Sequence, residues 1–339
     1  MPSANTNTKQ ESCDTFACER QEERSCTFLA TFVESALMAH SFGGPWTQIK
    51  LDLLRRYLIS FNKALQNRPS AQRPFARIYI DAFAGTGECE IRTDEQTVAT
   101  IEGSAKIALE TVPAFDEVHL IDLNPIHVEE LNRLTSTYET KVKVHLDEAK
   151  NAINKLLGSR NWNNSRGVIF LDPYGMTVPW TTLQRIAATK ALDVWYLFPL
   201  SATYRQAATD FDKVDPTKAK ALDAVLGTQD WREHFYQVDG QAGLLGEAEG
   251  KVRTYKATDI ADYVKSRLAQ VFEGWVSEPL YLRSSKGAPL FALFCCISNP
   301  SPPAVELAKR IANHILEKFG APIKRKPKQT SELNQSSLF

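Results

Sequence analysis

Residues 76–87 read ARIYIDAFAGTG, a β-branched and aromatic run that closes on Asp81 and turns through Phe83, Gly85 and Gly87. A short apolar run ending in a glycine turn is a strand signal. Two glycines one residue apart let the backbone pass close to a ligand that a Cβ would keep away, as α/β folds do when they seat a nucleotide at a strand tip. A third glycine is missing, Glu90 taking its place, so the turn alone does not separate a ligand loop from an ordinary tight turn.

The rest of the chain supplies context. A polar loop, Glu88 to Glu102, leads to Gly103-Ser104, which opens a helix. Beyond it the pattern predicts strand Glu117 to Ile121, helix Pro125 to about Tyr138, strand Lys141 to Leu146 and helix Glu148 to about Leu157. Strand Gly167 to Leu171, helix Thr181 to about Lys190 and strand Asp193 to Phe198 continue the rhythm. Alternating strands and helices of this kind build a doubly wound parallel sheet covered on both faces. Upstream, Gly43-Gly44-Pro45-Trp46 makes a turn, and Thr47 is placed to cap a helix that ends before Pro69. Downstream, Pro279 to Arg283 and Pro289 to Ile297 flank Ser284-Ser285-Lys286-Gly287 as a hairpin, and a closing helix runs from Ala304 to about Phe319.

Five segments follow: a disordered leader over 1–40, a core over 41–202, a charged helical insertion over 203–272, a hairpin and helix over 273–320 that complete the core, and a disordered tail over 321–339. The 339 residues carry 40 basic and 40 acidic side chains, so no global field draws the chain to nucleic acid or to an anionic membrane. Nucleic acid stays open as a partner through local cations of the insertion such as Lys213, Arg232 and Arg253, although a solvated surface suits that segment as well. The longest apolar stretch, Pro289 to Ile297, is about half a membrane span, and the reading is a cytoplasmic protein with no membrane segment. Cys13, Cys18 and Cys26, with four and seven residues between them, match no common zinc spacing, and no metal is expected.

Four acids end predicted strands. Asp81 precedes the glycine turn. Asp122 ends His119-Leu120-Ile121-Asp122, where a carboxylate accepts ribose hydroxyls, or else caps the next helix. Asp147 ends the following strand, beside the place of an adenine amino group, with helix capping as the equal alternative. Asp172 opens Asp172-Pro173-Tyr174-Gly175. Proline halts the strand, so the Asp172 carboxylate and the next carbonyl face the crevice and can accept both hydrogens of an aromatic amine, while Tyr174 offers a stacking face. Hydride transfer to a nicotinamide needs no such group.

Asp81-x-Phe-x-Gly-x-Gly with Asp172-Pro173-Tyr174 resembles the class I S-adenosylmethionine (SAM) methyltransferases, above all those whose motif Asp/Asn-Pro-Pro-Tyr/Phe acts on amines. Together with Trp46-Thr47-Gln48-Ile49-Lys50, Tyr79 to Gly85, Gly103-Ser104-Ala105 and Asp172 to Gly175, the chain resembles the three-Cys-motif partner proteins (TcmP) from about Ser41 to Phe319. The resemblance implies a Rossmann-like class I methyltransferase fold, a mostly parallel seven-stranded sheet with an antiparallel C-terminal hairpin and a helical insertion. It implies SAM as cofactor, held by Asp81, Phe83, Gly85, Gly87, Asp122 and Asp147. Asp172, Pro173 and Tyr174 become the catalytic set, acting on an amine, and a radical-SAM-like three-Cys-motif protein becomes the partner. By the same analogy Lys50 pairs with the methionine carboxylate of SAM, with a solvent-facing helix lysine as the alternative. Tyr174 stands where the amine enzymes have a second proline, which leaves transfer to a nucleobase open, and a non-catalytic SAM-fold subunit of the three-Cys protein is the competing reading.

Overall fold

The computed structural model describes residues 45–92, 98–238 and 250–320. The expected leader over 1–40 with its three cysteines, the turn at Gly43-Gly44 and the expected tail over 321–339 lie outside the described residues.

One sheet of eight strands has seven longer members. They are β1 (Ala76–Asp81), β2 (Glu117–Asp122), β3 (Lys141–Leu146), β4 (Ser165–Leu171), β5 (Leu192–Phe198), β6 (Leu280–Arg283) and β7 (Pro289–Ile297). Their order across the sheet is β3-β2-β1-β4-β5-β7-β6, and Trp275–Val276 pairs with the far end of the same β7 edge. β1 to β5 run parallel; β7 runs antiparallel to β5, with Ala292 opposite Phe198 and Ile297 opposite Asp193. The carboxyl ends of β1 to β5 therefore share one rim, and the order steps outward both ways from β1 and β4. A parallel sheet opens a ligand crevice at such a reversal point.

Alternation along the strands fills both faces. Ile78, Ile80, Ile169, Leu171, Val194 and Tyr196 point to one core, and Tyr79, Val168, Phe170, Trp195 and Leu197 point to the other. The second core is closed by α1 (Pro45–Leu65), α2 (Ser104–Leu109), α3 (Pro125–Thr135) and, from the far end of the chain, α10 (Pro302–Lys318). The first core is closed by α4 (Ala149–Gly158) and α5 (Trp180–Ala188). It extends without a break into the segment after β5, through α6 (Leu200–Gln206), α7 (Pro216–Leu226), α8 (Trp231–Phe235) and α9 (Ala257–Val271). Leu222, Trp231, Ile260, Val264 and Leu268 are all 0% exposed within it. Each fully buried aliphatic of this kind contributes about 1.5–3 kcal/mol.

Gly227 shows how tightly that segment is keyed. It ends α7 at φ 68°, and a Cβ there would lie 2.1 Å from Cγ of Trp180 at the start of α5. Gly227→Ala is expected to cost about 2 kcal/mol, from the left-handed backbone together with the forced shift of Trp180. Thermal unfolding measures it, and an unchanged midpoint would show that the segment does not bear on the sheet.

Two expectations are corrected. Thr47 does not cap α1: the helix already starts at Pro45, whose fixed φ suits a first turn, and Thr47 sits inside that turn 5% exposed. The polar loop over Glu88 to Glu102 contains an antiparallel ribbon, Glu88–Arg92 against Val98–Glu102, with Cys89 opposite Ile101 and Ile91 opposite Ala99. Interleaved Glu and Arg hide a period-two pattern whose apolar half, Cys89, Ile91 and Ile101, turns to the protein. Among the described residues, no helix is long and apolar enough to cross a membrane.

Candidate active site

The tip of β1 is held from three sides. Ala82 donates to the Phe170 carbonyl at 3.1 Å and Ala84 to the Ile121 carbonyl at 2.9 Å, which ties the turn to β4 and β2. The Asp81 carboxylate lies beneath the turn, 0% exposed, accepting from Tyr79 Oη at 3.0 Å, from the Phe83 amide at 3.3 Å and from the Ser104 side chain. Asp81 thus shapes the turn from below. Phe83 is half-buried against the core. Gly85 has φ 61° and open space where a Cβ would stand, whereas a Cβ on Gly87 would meet Cδ2 of Leu134 at 2.5 Å. Of the two glycines, Gly85 is the one facing the crevice, and Gly87 lets α3 pack.

Burial raises the Asp81 pKa from the ordinary 3.8 to about 6, against the pull of its three donors. A carboxyl whose folded pKa is raised gives stability that is whole below its unfolded value and is lost as pH climbs through the folded one. Asp81→Asn, close in shape to the protonated acid, is therefore expected to gain on the parent protein between pH 4 and pH 8 by on the order of 3 kcal/mol. Melting temperatures of both proteins at the two pH values test this, and parallel shifts would refute it.

Asp122, 7% exposed, answers from β2. Its Oδ2 accepts the Gly85 amide at 2.9 Å, and its Oδ1 accepts the Asn124 amide at 2.8 Å and faces His127 Nδ1 at 3.1 Å. The cap of α3 is Asn124, accepting from Ile126, so Asp122 is not the cap. Asp147, next along the rim, pairs with Lys155 at 2.7 Å and accepts the Glu148 amide at 2.8 Å; the hydrogen bond from Lys155 chiefly holds its pKa below the usual carboxylate value. Its carboxylate is thereby committed to the helix that follows its strand.

At the tip of β4, Asp172 forms an ion pair with Lys50, which reaches over from the first turns of α1. Side-chain exposures of 13% and 22% put the pair partly out of water. Pro173 is buried, and Gly175 turns the chain at φ 66° with open space around it. Met176 Sδ then receives Thr203 Oγ1 at 3.5 Å, which docks the loop on α6. Tyr174 stands 55% exposed, yet its phenol pKa is raised, first by burial and then by Asp172, Asp122, Cys89 and Asp81. The ties from Ala82 to Phe170, from Ala84 to Ile121 and from Gly85 to Asp122 draw the tips of β1, β4 and β2 together. β1 and β4 are adjacent, Asp81 beside Phe170, and adjacent strands lie about 4.8 Å apart, well within the length of one nucleoside.

The same strand ends carry residues that the sequence pattern did not single out. Leu123 is 65%, Ile126 62% and Leu146 57% exposed, and with Tyr174 they stand at the tips of β2, β3 and β4. Asp122 and Leu146 are register partners, so Leu146 stands beside the acid. Large apolar groups left in water next to a carboxylate that accepts hydroxyls suit the two faces and the sugar of a purine nucleoside. A leucine between Asp122 and Asn124, where a turn should be polar, was the available signal. Cys89 was missed with its ribbon; its thiol is raised by burial and lies in the fields of Lys50, Asp172 and Asp81. Among the described residues, no group of three or more His, Cys, Asp or Glu is arranged to hold a metal ion.

No family model matches the chain, and no curated protein matches it in sequence. Solved structures do resemble it in shape. A Legionella pneumophila protein described under the family model DUF519 covers 84% of this chain and 95% of its own, at 13% identity and a TM-score of 0.43. Human methyltransferase-like protein 13, solved with SAH, covers 84% and 97%, at 11% identity and a TM-score of 0.36. A SAM-dependent methyltransferase from Methanosarcina mazei covers 65% and 91%, at 11% identity and a TM-score of 0.30. Likeness at this level carries no chemistry, and the strand order carries the fold. The chain has a Rossmann-like α/β fold, a mostly parallel sheet whose order reverses between β1 and β4.

Proposed function

We propose that this protein binds SAM in the crevice and transfers its methyl group to an amine. The observation that carries the reading is the convergence of Asp81, Asp122 and Asp172 with Gly85 and Tyr174 at one rim, flanked by the exposed apolar trio. The chemistry of the site fits the cofactor. Gly85 leaves room for backbone approach, Asp122 keeps lone pairs for ribose hydroxyls, and Leu123, Ile126 and Leu146 offer apolar faces to adenine. Asp81 and Phe83 support the turn, Asp147 borders the adenine edge, and Lys50 is the cation for the methionine carboxylate. When bound, SAM supplies an electrophilic methyl group on a sulfonium whose leaving group is a neutral thioether.

The chain's own residues do the positioning. Asp172 and the Pro173 carbonyl accept the hydrogens of the acceptor amine and aim its lone pair, and Tyr174 stacks on the ring that bears it. Orientation of this kind supplies most of the rate when the leaving group is already good. A base in duplex nucleic acid must first be flipped out to reach such a site. The partner in this reading is the radical-SAM-like three-Cys-motif protein, in keeping with the TcmP resemblance.

Calorimetric titration with SAH, then tritium transfer from labelled SAM to DNA, RNA and the three-Cys protein, tests the proposal. Binding with transfer supports it, and absence of binding ends it. One observation favours a second reading, in which the chain is a SAM-binding subunit without transferase activity: Asp172 already has its Oδ2 engaged by Lys50. Binding without transfer to any of the three acceptors would favour that reading.

A further inference from the structure

Lys50 stands between two duties. Its ammonium holds Asp172, the group assigned to the acceptor amine, and farther along the same helix Arg55 pairs with Glu102 at the end of the ribbon. The helix therefore bridges the tip of β4 and the ribbon that leaves the tip of β1. The backbone of Lys50 is fixed, because Thr47, Leu51, Leu53 and Leu54 bury the turns on either side of it at 5%, 4%, 1% and 0% exposure. The four-carbon stem is the part free to turn. While the ammonium sits on Oδ2, an incoming amine finds that oxygen taken.

We propose that Lys50 exchanges carboxylates: it sits on Asp172 in the empty crevice and passes to the amino-acid carboxylate of the cofactor when the cofactor enters, which uncovers Asp172 for the acceptor. The proposal rests on the methyltransferase reading and deepens it, since it makes cofactor binding precede acceptor binding. The exchange replaces one ammonium–carboxylate pair by another, so neither state is favoured by net charge. Each molecule whose lysine is held by Asp172 weakens apparent cofactor affinity in proportion to its population. Releasing the lysine should therefore tighten binding of any ligand that carries the carboxylate, and of no other.

Titration calorimetry of Lys50→Met, Asp172→Asn and the double variant tests this with SAH and with methylthioadenosine, which has the nucleoside and the sulfur but no amino-acid group. Lys50→Met is expected to weaken SAH by roughly tenfold and to leave methylthioadenosine unchanged. Asp172→Asn is expected to tighten SAH by roughly threefold to tenfold, again without effect on methylthioadenosine. The double variant should bind SAH as Lys50→Met does, because Asp172→Asn acts through Lys50. Lys50→Arg, which keeps the cation on the helix, should retain SAH binding and guards against a folding defect. Unchanged or weaker SAH binding by Asp172→Asn, with normal binding by the parent protein, overturns the exchange and leaves the cofactor reading standing. Equal losses of both ligands on Lys50→Met reduce Lys50 to a structural role and also overturn it. A parent protein that binds neither ligand overturns the cofactor reading itself, and the exchange falls with it.

Discussion

Replacing Asp122 by alanine is expected to weaken SAH binding by about 100- to 10,000-fold, the sum of two hydrogen bonds to a charged acceptor at roughly 1.5–3 kcal/mol each. The carboxylate has two functions in one place. It fixes the Gly85 amide at 2.9 Å and the Asn124 amide at 2.8 Å, and in the proposed complex its remaining lone pairs take the ribose hydroxyls. Alanine removes the ribose acceptors and loosens the turn that approaches the ligand. Asp122→Asn keeps one acceptor oxygen without the charge and should fall between the two. The fold should outlast the change, because the Ala82 and Ala84 amides tie the turn to Phe170 and Ile121 independently of Asp122. Calorimetry beside a thermal melt separates the effects. A loss of less than about threefold, with the melt unchanged, would remove Asp122 from the ligand site.

The sequence made the sheet legible because its strands obey the simplest rule available, apolar runs stopped by glycine, proline or an acid. Lys141 to Leu146 and Pro289 to Ile297 emerged with the limits they have in the structure. Helix ends drifted, as with α3 stopping at Thr135 where periodicity ran on toward Tyr138, because frayed last turns leave no pattern of their own. The ribbon after Gly87 stayed hidden for another reason. Its outward positions carry Glu88 and Glu90, and only the structure pairs Cys89 with Ile101 to make an inward face. At the site, strand-end acids were visible as types at tips, but their work was not. Nothing in the order of residues separates Asp81, whose carboxylate points under the turn, from Asp122, which grips Gly85, or from Asp147, which turns to Lys155. The Lys50–Asp172 pair spans 122 positions of sequence, a contact that only the meeting of α1 with the β4 tip creates.

Asp172→Ala is expected to lower the turnover of methyl transfer by about 1000-fold while SAH binding holds or improves, and this split is what assigns Asp172 to the acceptor and not to the cofactor. The loss comes from geometry. With the carboxylate gone, the Pro173 carbonyl accepts one hydrogen of the amine, and nothing fixes the rotation that points the lone pair at the methyl carbon. Misaimed nucleophiles forfeit most of what proximity gives. Asp172→Asn should recover part of the rate, since an amide oxygen in the same place accepts one N–H, and both variants free Lys50 from its pair. The freed ammonium, on a side chain 13% exposed, then sits partly out of water without its partner, so Asp172→Ala should also melt earlier, by about 1 kcal/mol. Bound SAH should reverse that loss beyond its effect on the parent protein, because its carboxylate gives the lysine a partner again. Tritium transfer at saturating labelled SAM, read beside calorimetry and a melt with and without SAH, tests all of these effects. Turnover that survives the alanine within tenfold would show that the acceptor is held elsewhere, and the oxygen pair at the β4 tip would revert to a turn that anchors α1.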